Sequence, residues 1–305
     1  MSRWGNSKAL TQTSYGLVKE HPGMNRWTVR AAVHGAVVGG IGALIGIAVV
    51  VAGAAMSANS DTSVMDTVVI VVGIVIAVLG VIAGLTAANI QLAGLVKATD
   101  DVLHGRELDE QAARAAAHSR RAALAQWSAI SVAVGALVGM IRGDGNSGIV
   151  TTLVRSLLAG MVAAVWAVVT TLVMPVIVLE DKGAVAAIKR SSSLIRSTWG
   201  EAVFGTVRIG ARFGLMFTLP GLVLLVGGIV AGIGVGGPAM AVGGVLAVVG
   251  VALIVIGAVK AATCRNVFGV ALYRWTTGEG ALGPFSEDDL RGAVRVRGES
   301  VPVPA

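Results

Sequence analysis

Six long apolar blocks constrain this chain more than any other feature. Each holds about 20 residues or more, the length of helix that crosses a hydrocarbon layer roughly 30 Å thick. Hydrophobic residues make up 55% of the 305 residues and charged residues only 13%, too few to cover the surface of a soluble domain of this size. We therefore predict an all-α integral membrane protein, a six-helix transmembrane bundle with amphipathic helices at the cytoplasmic interface. The predicted spans are 29–56, 64–96, 123–141, 149–179, 203–233 and 239–273.

Polar segments flank and separate these spans. An amphipathic helix near the N-terminus is expected to stop at His21-Pro22-Gly23, because proline and glycine interrupt helices. The C-terminal tail is expected to be mostly disordered, apart from a short helix capped by Ser286. The predicted division is a cytoplasmic N-terminal segment (1–28), a membrane domain (29–275) with surface helices at 107–122 and 184–198, and a cytoplasmic tail (276–305).

Positive charge is distributed unevenly between the two sides. With six spans, the odd-numbered loops carry only Arg142, or also Arg155, of the 24 Lys and Arg residues. The remaining 22 fall in the termini, in 97–121, in 182–196 or at the ends of the adjoining spans. Basic residues accumulate on the cytoplasmic side of membrane proteins. We therefore place the chain in the cell (inner) membrane with both termini in the cytoplasm.

The net charge and the first span each have a second interpretation. A formal net charge of +7 could indicate nucleic-acid binding, but the basic residues flank the apolar blocks, so we expect no nucleic-acid partner. The first block is too long for the roughly 7–15-residue core of a cleavable signal. The small residues Ala54, Ala55 and Ala58 leave cleavage as an alternative to an uncleaved anchor.

The segment 172–201 joins the fourth span to a basic helix. Pro175 stands near the exit of the span, where a proline can kink the helix and free backbone groups that neighbours or interfacial water must satisfy. The following helix is predicted to be amphipathic, because residues that would share one of its faces recur at helical spacing. That face consists of Ala184, Ile188, Ser191, Ile195 and Trp199.

Five cations in this region are candidate contacts for anionic phospholipid at the cytoplasmic face or for a protein partner. Lys189, Arg190 and Arg196 are expected to hold the surface helix on the membrane, since each basic residue near an anionic surface adds roughly 1 kcal/mol. Arg208 and Arg212 lie one turn apart at the start of the fifth span. They either snorkel to the interface or form a headgroup or partner site. The same snorkelling is expected of Arg30, Lys260 and Arg265.

Glycines four residues apart recur in the spans, among them Gly35/Gly39 and Gly80/Gly84. This spacing lets two helix backbones approach closely. The pairs indicate tight packing inside one bundle or, alternatively, contact between copies of the chain in a homo-oligomer. A surface helix also precedes a membrane hairpin three times, which indicates either an internal repeat or segments that obey the same interface physics.

Residue sets that perform chemistry in enzymes are missing from the sequence. The four histidines are not at metal-ligand spacing, and no HExxH motif, G-x-S-x-G elbow or phosphate loop occurs. Cys264 is the single cysteine and has no neighbouring base. We therefore predict no catalytic residue, no metal, no cofactor and no enzymatic activity.

Ionisable residues are nearly absent from mid-span positions, which argues against a proton or ion path. Asn89, Gln91, Thr170 and Thr171 are the polar span residues that we expect to form hydrogen bonds between helices rather than to line a path for a polar substrate.

Residues 175–201, PVIVLEDKGAVAAIKRSSSLIRSTWGE, resemble a bacterial family of polytopic membrane proteins of unknown function. The family signature is PVIxxExxG, then AIxxS and a WG pair. Its positions here include Pro175, Glu180, Gly183, Ser191, Trp199 and Gly200. A looser likeness links the arrangement to the membrane domain attached to some glycerophosphodiester phosphodiesterases. The resemblance implies six spans and no assigned activity.

These features favour a non-enzymatic membrane protein, either a scaffold or a bundle that binds lipid or a partner. The alternative is a transporter or channel for a small or lipid-like solute, supported by six spans, by breaks at Pro175 and Pro220, and by the repeated helix-plus-hairpin pattern. The missing mid-membrane acids disfavour a coupled pump more than a passive path.

Overall fold

Helices account for nearly all of the computed structural model, which describes residues 3–59, 64–143, 148–199, 214–235, 238–288 and 290. No strand occurs within these ranges, so the all-α prediction is confirmed. The helices are α1 (Arg3–Glu20), α2 (Gly23–Asn59), α3 (Val64–Leu103), α4 (Glu110–Ser119), α5 (Arg121–Arg142), α6 (Ile149–Val169), α7 (Val173–Leu179), α8 (Ala184–Trp199), α9 (Leu219–Val235) and α10 (Pro238–Thr276). A π-helical turn, Gly214–Thr218, precedes α9.

Six stretches of helix are long and apolar enough to cross a membrane, the number predicted from the sequence. They cover 23–58, 64–103, 121–142, 150–179, 215–232 and 240–276. The helices extend past the predicted spans: α2 begins six residues before residue 29, and α3 ends seven residues after residue 96. The predicted start of the fifth span, up to residue 213, lies outside the described residues.

The predicted surface helix at 107–122 is shorter in the structure. The carboxylate of Asp109 accepts hydrogen bonds from the backbone N–H groups of Gln111 (2.8 Å) and Ala112 (3.0 Å), which caps α4 and starts it at Glu110. A turn at Arg120 then separates α4 from α5. The second surface helix, α8, ends within a residue of its predicted bound.

One compact unit of the chain consists of residues 1–28, 99–106 and 196–305. In this unit α1 packs on α10, and Leu10, Ser14, Leu17 and Val18 of α1 are buried at helical spacing. The paired helices α9 and α10 approach so closely that a Cβ atom on Gly228 would lie 2.5 Å from the carbonyl oxygen of Gly243. After α10 the chain continues in turns, and Phe285 and Leu290 are buried. The tail therefore starts with a folded segment.

The other unit consists of residues 29–98 and 107–195. Its first hairpin, α2 and α3, is packed through glycines: a Cβ atom on Gly42 would lie 2.4 Å from the Cα atom of Gly80. Its second hairpin, α5 and α6, carries stacked rings of Trp127 and Trp166 with centroids 5.7 Å apart. By contrast, a Cβ atom on Gly139 of α5 would meet nothing within 4 Å. Glycine spacing predicts close packing in both hairpins, because Gly135 and Gly139 also stand four residues apart; the structure shows it in the first hairpin and not at Gly139.

Most buried residues of α2, α3, α5 and α10 lie toward one end of the helix. They include Met24 and Trp27 at the start of α2, Leu95 and Val96 late in α3, Leu124 early in α5, and Val267 and Phe268 late in α10. The other part of each helix exposes its apolar side chains. Leu44, Leu79, Leu157 and Val248 are each more than half exposed. Exposed apolar surface of this extent is typical of a region that contacts a membrane or another protein rather than water.

Candidate functional site

The fourth candidate span is interrupted between α6 and α7. The N–H group of Val173 bonds to the carbonyl of Thr170 (3.1 Å) instead of the carbonyl of Val169, and the N–H group of Thr171 bonds to the carbonyl of Val168 (3.0 Å). Pro175, buried in the first turn of α7, has no N–H group to donate. The carbonyl of Val169 and the N–H group of Leu172 are therefore left out of the helical ladder.

Ser191 of α8 satisfies both of these groups. Its hydroxyl donates to the carbonyl of Val169 (2.6 Å) and accepts from the N–H group of Leu172 (3.3 Å). Ser191 is fully buried, so water does not compete for either bond. A hydroxyl can donate and accept at once, which explains why a serine suits this position. Ser191 is thus the neighbour that satisfies the backbone groups freed near Pro175.

The loop between α7 and α8 is held by ion pairs. Glu180 lies 2.6 Å from the ammonium of Lys182 and 3.2 Å from Nε of Arg190. Asp181 has a left-handed backbone conformation (φ 55°), which aspartate tolerates better than most residues, and its carboxylate pairs with Arg120 at the α4–α5 turn. These contacts join the loop to α8 on one side and to the start of α5 on the other.

Helix α8 has a buried face and a charged face. The buried face consists of Ala184, Ala187, Ser191, Leu194 and Ile195, each at most 6% exposed. These side chains are covered by protein atoms, so packing holds α8 in place. The attraction of Lys189, Arg190 and Arg196 to the membrane stays a prediction. Lys189 and Arg196 are exposed on the opposite side, whereas Arg190 lies against Glu180.

The remaining predicted site residues fall into two groups. Gly183 immediately precedes α8 and has room for a side chain, since the nearest atom to a Cβ there is Oε1 of Gln126 at 3.9 Å. Packing around this residue therefore does not require a glycine. The predictions that fall outside the described residues concern the side chain of Trp199 and all of Gly200, Arg208 and Arg212.

Arg30 has a protein partner, although the sequence predicted that it snorkels to the interface. Its guanidinium donates to Glu110 of α4 (3.3 Å), and Arg114 donates to the same carboxylate oxygen (3.0 Å). The hydrogen bond from Arg30 is the main reason why the pKa of Glu110 lies below its ordinary value, and burial opposes this effect. The contact ties α4 to the start of α2.

Lys260 likewise has neighbours that the sequence did not indicate. Its ammonium lies 5.6 Å from the ring centroid of Tyr15 in α1 and 5.3 Å from that of Phe217 in the π-helical turn. These distances fall within the range of cation–π attraction. The lysine therefore helps to hold α1 beside α10.

A buried charge cluster at the end of α3 was missed by the sequence reasoning. Asp100, whose side chain is 4% exposed, accepts a hydrogen bond from Nε of Arg274 in α10 (2.6 Å) and pairs with Arg106 (3.4 Å). Asp101 pairs with Arg106 (2.8 Å), and Arg274 also pairs with Glu279. Two adjacent aspartates directly after an apolar span were the available signal, because charges so close to a span need partners.

Polar residues within the spans form one of the predicted interhelical bonds. The amide of Asn89 in α3 donates to the hydroxyl of Ser128 in α5 (2.9 Å). The prediction for Thr170 and Thr171 is wrong: their hydroxyls donate within α6 to the carbonyls of Trp166 (2.7 Å) and Ala167 (2.8 Å). Threonine commonly bonds back to the preceding turn in this way.

Comparison with known proteins places this chain in one family. Residues 95–283 match the model of a family of unknown function, DUF6159, and since this match covers more than half of the chain, the protein belongs to that family. The matched residues include Pro175, Glu180 and Ser191. No curated protein and no solved structure matches the chain. The chain is thus a member of an uncharacterised family with six candidate membrane helices.

Proposed function

We propose that this protein is a non-enzymatic multi-pass bundle of the cell membrane, with both termini in the cytoplasm, which binds anionic lipid at its cytoplasmic face. The observation that carries the proposal is the exposed pair of cations on α8, a helix whose opposite face is packed into the protein. A scaffold for a protein partner would use the same face.

The distribution of buried residues supports the orientation. Residues are buried at the start of α2, the end of α3, the start of α5, the end of α7 and the end of α10. If successive spans alternate in direction, all of these ends face the same side of the membrane. The basic segments adjoin the same ends, and basic residues favour the cytoplasm.

The charged face of α8 supports the choice of lipid. Lys189 and Arg196 are seven residues apart, so they lie on the same side of the helix. Neither has an ion-pair partner among the residues that the structure describes, whereas Arg190 is paired with Glu180. A basic face without carboxylates attracts anionic headgroups, with roughly 1 kcal/mol for each cation.

The experiment compares lipid binding by purified wild-type protein and by the double variant Lys189→Glu/Arg196→Glu. Both are placed in nanodiscs of phosphatidylcholine with a minor fraction of phosphatidylglycerol, and enrichment of the anionic lipid around the protein is measured. We expect the double variant to lose the enrichment while α8 stays protected from proteolysis, because its apolar face is packed. Arg142→Glu, a charge reversal at the C-terminal end of α5, is the control and should keep the enrichment. Unchanged enrichment in the double variant would refute the lipid site.

A passive path for a lipid-like solute is the second proposal. It is supported by the interruption at Thr170–Leu172 and by the π-helical turn before Pro220, since such discontinuities occur where membrane helices form binding sites. Against it, Ser191 occupies the freed backbone groups at the first interruption. Transfer of a fluorescent lipid between leaflets of proteoliposomes, compared with protein-free liposomes, tests this proposal.

We also infer that the signature PVIxxExxG, AIxxS and WG describes the corner between α7 and α8. In support, Pro175 stands at the interruption, Ser191 fills it, and Glu180 is held by Arg190. The likeness to the membrane domain attached to glycerophosphodiester phosphodiesterases stays a hypothesis. A structure of such a domain with a serine bonded into the same helix break would support it.

A further inference from the structure

We propose that His104 is a proton-dependent clasp that holds the segment after α10 on the end of α3. Nδ1 of His104 lies 2.7 Å from the backbone carbonyl of Asp100 in α3. Nε2 lies 3.2 Å from Oε2 of Glu279, which follows α10. The ring therefore bridges two segments that are 175 residues apart in the sequence.

The chemistry of the two partners determines the protonation state that the clasp needs. A backbone carbonyl only accepts hydrogen bonds, so Nδ1 must carry a proton to bond to Asp100. An ionised carboxylate also only accepts, so Nε2 must carry a proton to bond to Glu279. Neutral imidazole has one proton, and both bonds together require the imidazolium ion.

The charged groups around the ring complement an imidazolium ion. Three carboxylates, of Asp100, Asp101 and Glu279, meet two guanidinium groups, of Arg106 and Arg274. A protonated His104 supplies the third positive charge, and its Nδ1 lies 3.6 Å from Oδ1 of Asp100. The ring also stands at the C-terminus of α3, where the unpaired carbonyl groups of a helix attract a cation. Loss of the proton leaves a net negative charge, and the neutral ring can donate to Asp100 or to Glu279 but not to both.

The held segment is anchored by more than the clasp. Phe285 and Leu290 are buried, and Gly283 lies against Leu103, with 3.1 Å between its Cβ position and Cδ2 of that leucine. Deprotonation of His104 should therefore loosen 277–288 rather than unfold the unit. The clasp makes the packing of the tail depend on pH. This inference does not depend on lipid binding.

Amide hydrogen exchange of the full-length protein in detergent micelles tests the clasp. Exchange of peptides from 277–288 is measured at about pH 5.5 and about pH 8, with labelling times scaled for the intrinsic pH dependence of exchange. We expect opening to be roughly three- to tenfold more frequent at the higher pH, as for the loss of one partly exposed charge-assisted hydrogen bond. The variant His104→Gln should show no such difference.

Two further variants separate the clasp from general effects of pH. His34 makes the same bond from Nδ1 to the carbonyl four residues earlier, in Arg30 (2.7 Å), so His34→Gln should keep the difference at 277–288. Glu279→Gln replaces the carboxylate by an amide that can donate to neutral imidazole, so it should remove the difference. Equal opening at both pH values in the wild type, or a difference that survives His104→Gln, would overturn the proposal.

Discussion

At the helix break before Pro175, the single hydroxyl of Ser191 serves two backbone groups that belong to another part of the chain. It donates to Val169 and accepts from Leu172, and it is fully buried. An apolar side chain of the same size would leave both groups without a partner, which is costly in a place that water cannot reach. The position of α8 thus depends on a small polar atom as well as on apolar packing.

Replacing Ser191 by alanine should destabilise the protein by about 1–3 kcal/mol, the usual penalty for a buried backbone group without a partner. Ser193 of α8 is exposed, so Ser193→Ala is the matched control and should leave stability unchanged. Thermal unfolding of both variants in the same detergent, followed by tryptophan fluorescence, measures the effect. Equal unfolding temperatures for the two variants would contradict the bridging role of Ser191.

Glu110 gives the protein a defined dependence on pH. The hydrogen bond from Arg30 lowers the pKa of Glu110 below its ordinary value of 4.5. Because the folded state favours the ionised form, this contact stabilises the fold fully above pH 4.5, and the stabilisation is lost as the pH falls through the lowered pKa. The effect is modest, since a third of each side chain is exposed.

The variant Glu110→Gln should therefore be less stable than the wild type at pH 7, and the two should converge as the pH falls below 4.5. Glu107→Gln, a change at an exposed residue just before α4, is the control and should match the wild type throughout. Unfolding temperatures across this range of pH provide the test. If the difference in unfolding temperature between the wild type and Glu110→Gln is the same at every pH, the pair with Arg30 is not its cause.

At the scale of helices, the sequence predicted much of what the structure contains. The spans could be predicted because a long apolar run is a local property of the chain. The break near Pro175 could be predicted because proline lacks an N–H group. The ion-pair partners could not be predicted, because Asp100 and Arg274 are 174 residues apart and only folding brings the end of α3 next to the end of α10. The start of α4 was placed too early because the capping role of Asp109 was overlooked.

The hairpin of α2 and α3 provides a test of close packing through glycine. A methyl group on Gly42 would lie 2.4 Å from the Cα atom of Gly80, so Gly42→Ala must push the helices apart and should cost about 1–3 kcal/mol. Gly40 lies on the same helix with nothing within 4 Å of its Cβ position, so Gly40→Ala should be neutral or slightly stabilising. Unfolding in detergent distinguishes the two variants. A similar loss of stability in both would mean that these backbones do not touch.

At the scale of the whole chain, burial and charge lead to the same orientation. The helices α2, α3, α5 and α10 each have a packed end near polar and basic segments and an apolar part that is exposed in the folded chain. In the proposed orientation, lipid tails cover the apolar parts and the packed ends stand on the cytoplasmic side. The proposed lipid-binding face of α8 depends on this orientation, because α8 adjoins one of these packed ends.

Labelling of single cysteines in intact cells tests this orientation most directly. The native Cys264 is replaced by alanine, and one cysteine is introduced at Lys189 of α8 or at Arg142 at the end of α5. A maleimide that cannot cross the membrane should label position 142 in intact cells and position 189 only after the membrane is permeabilised. Labelling of position 189 from outside intact cells would contradict the orientation and, with it, the proposed lipid-binding face.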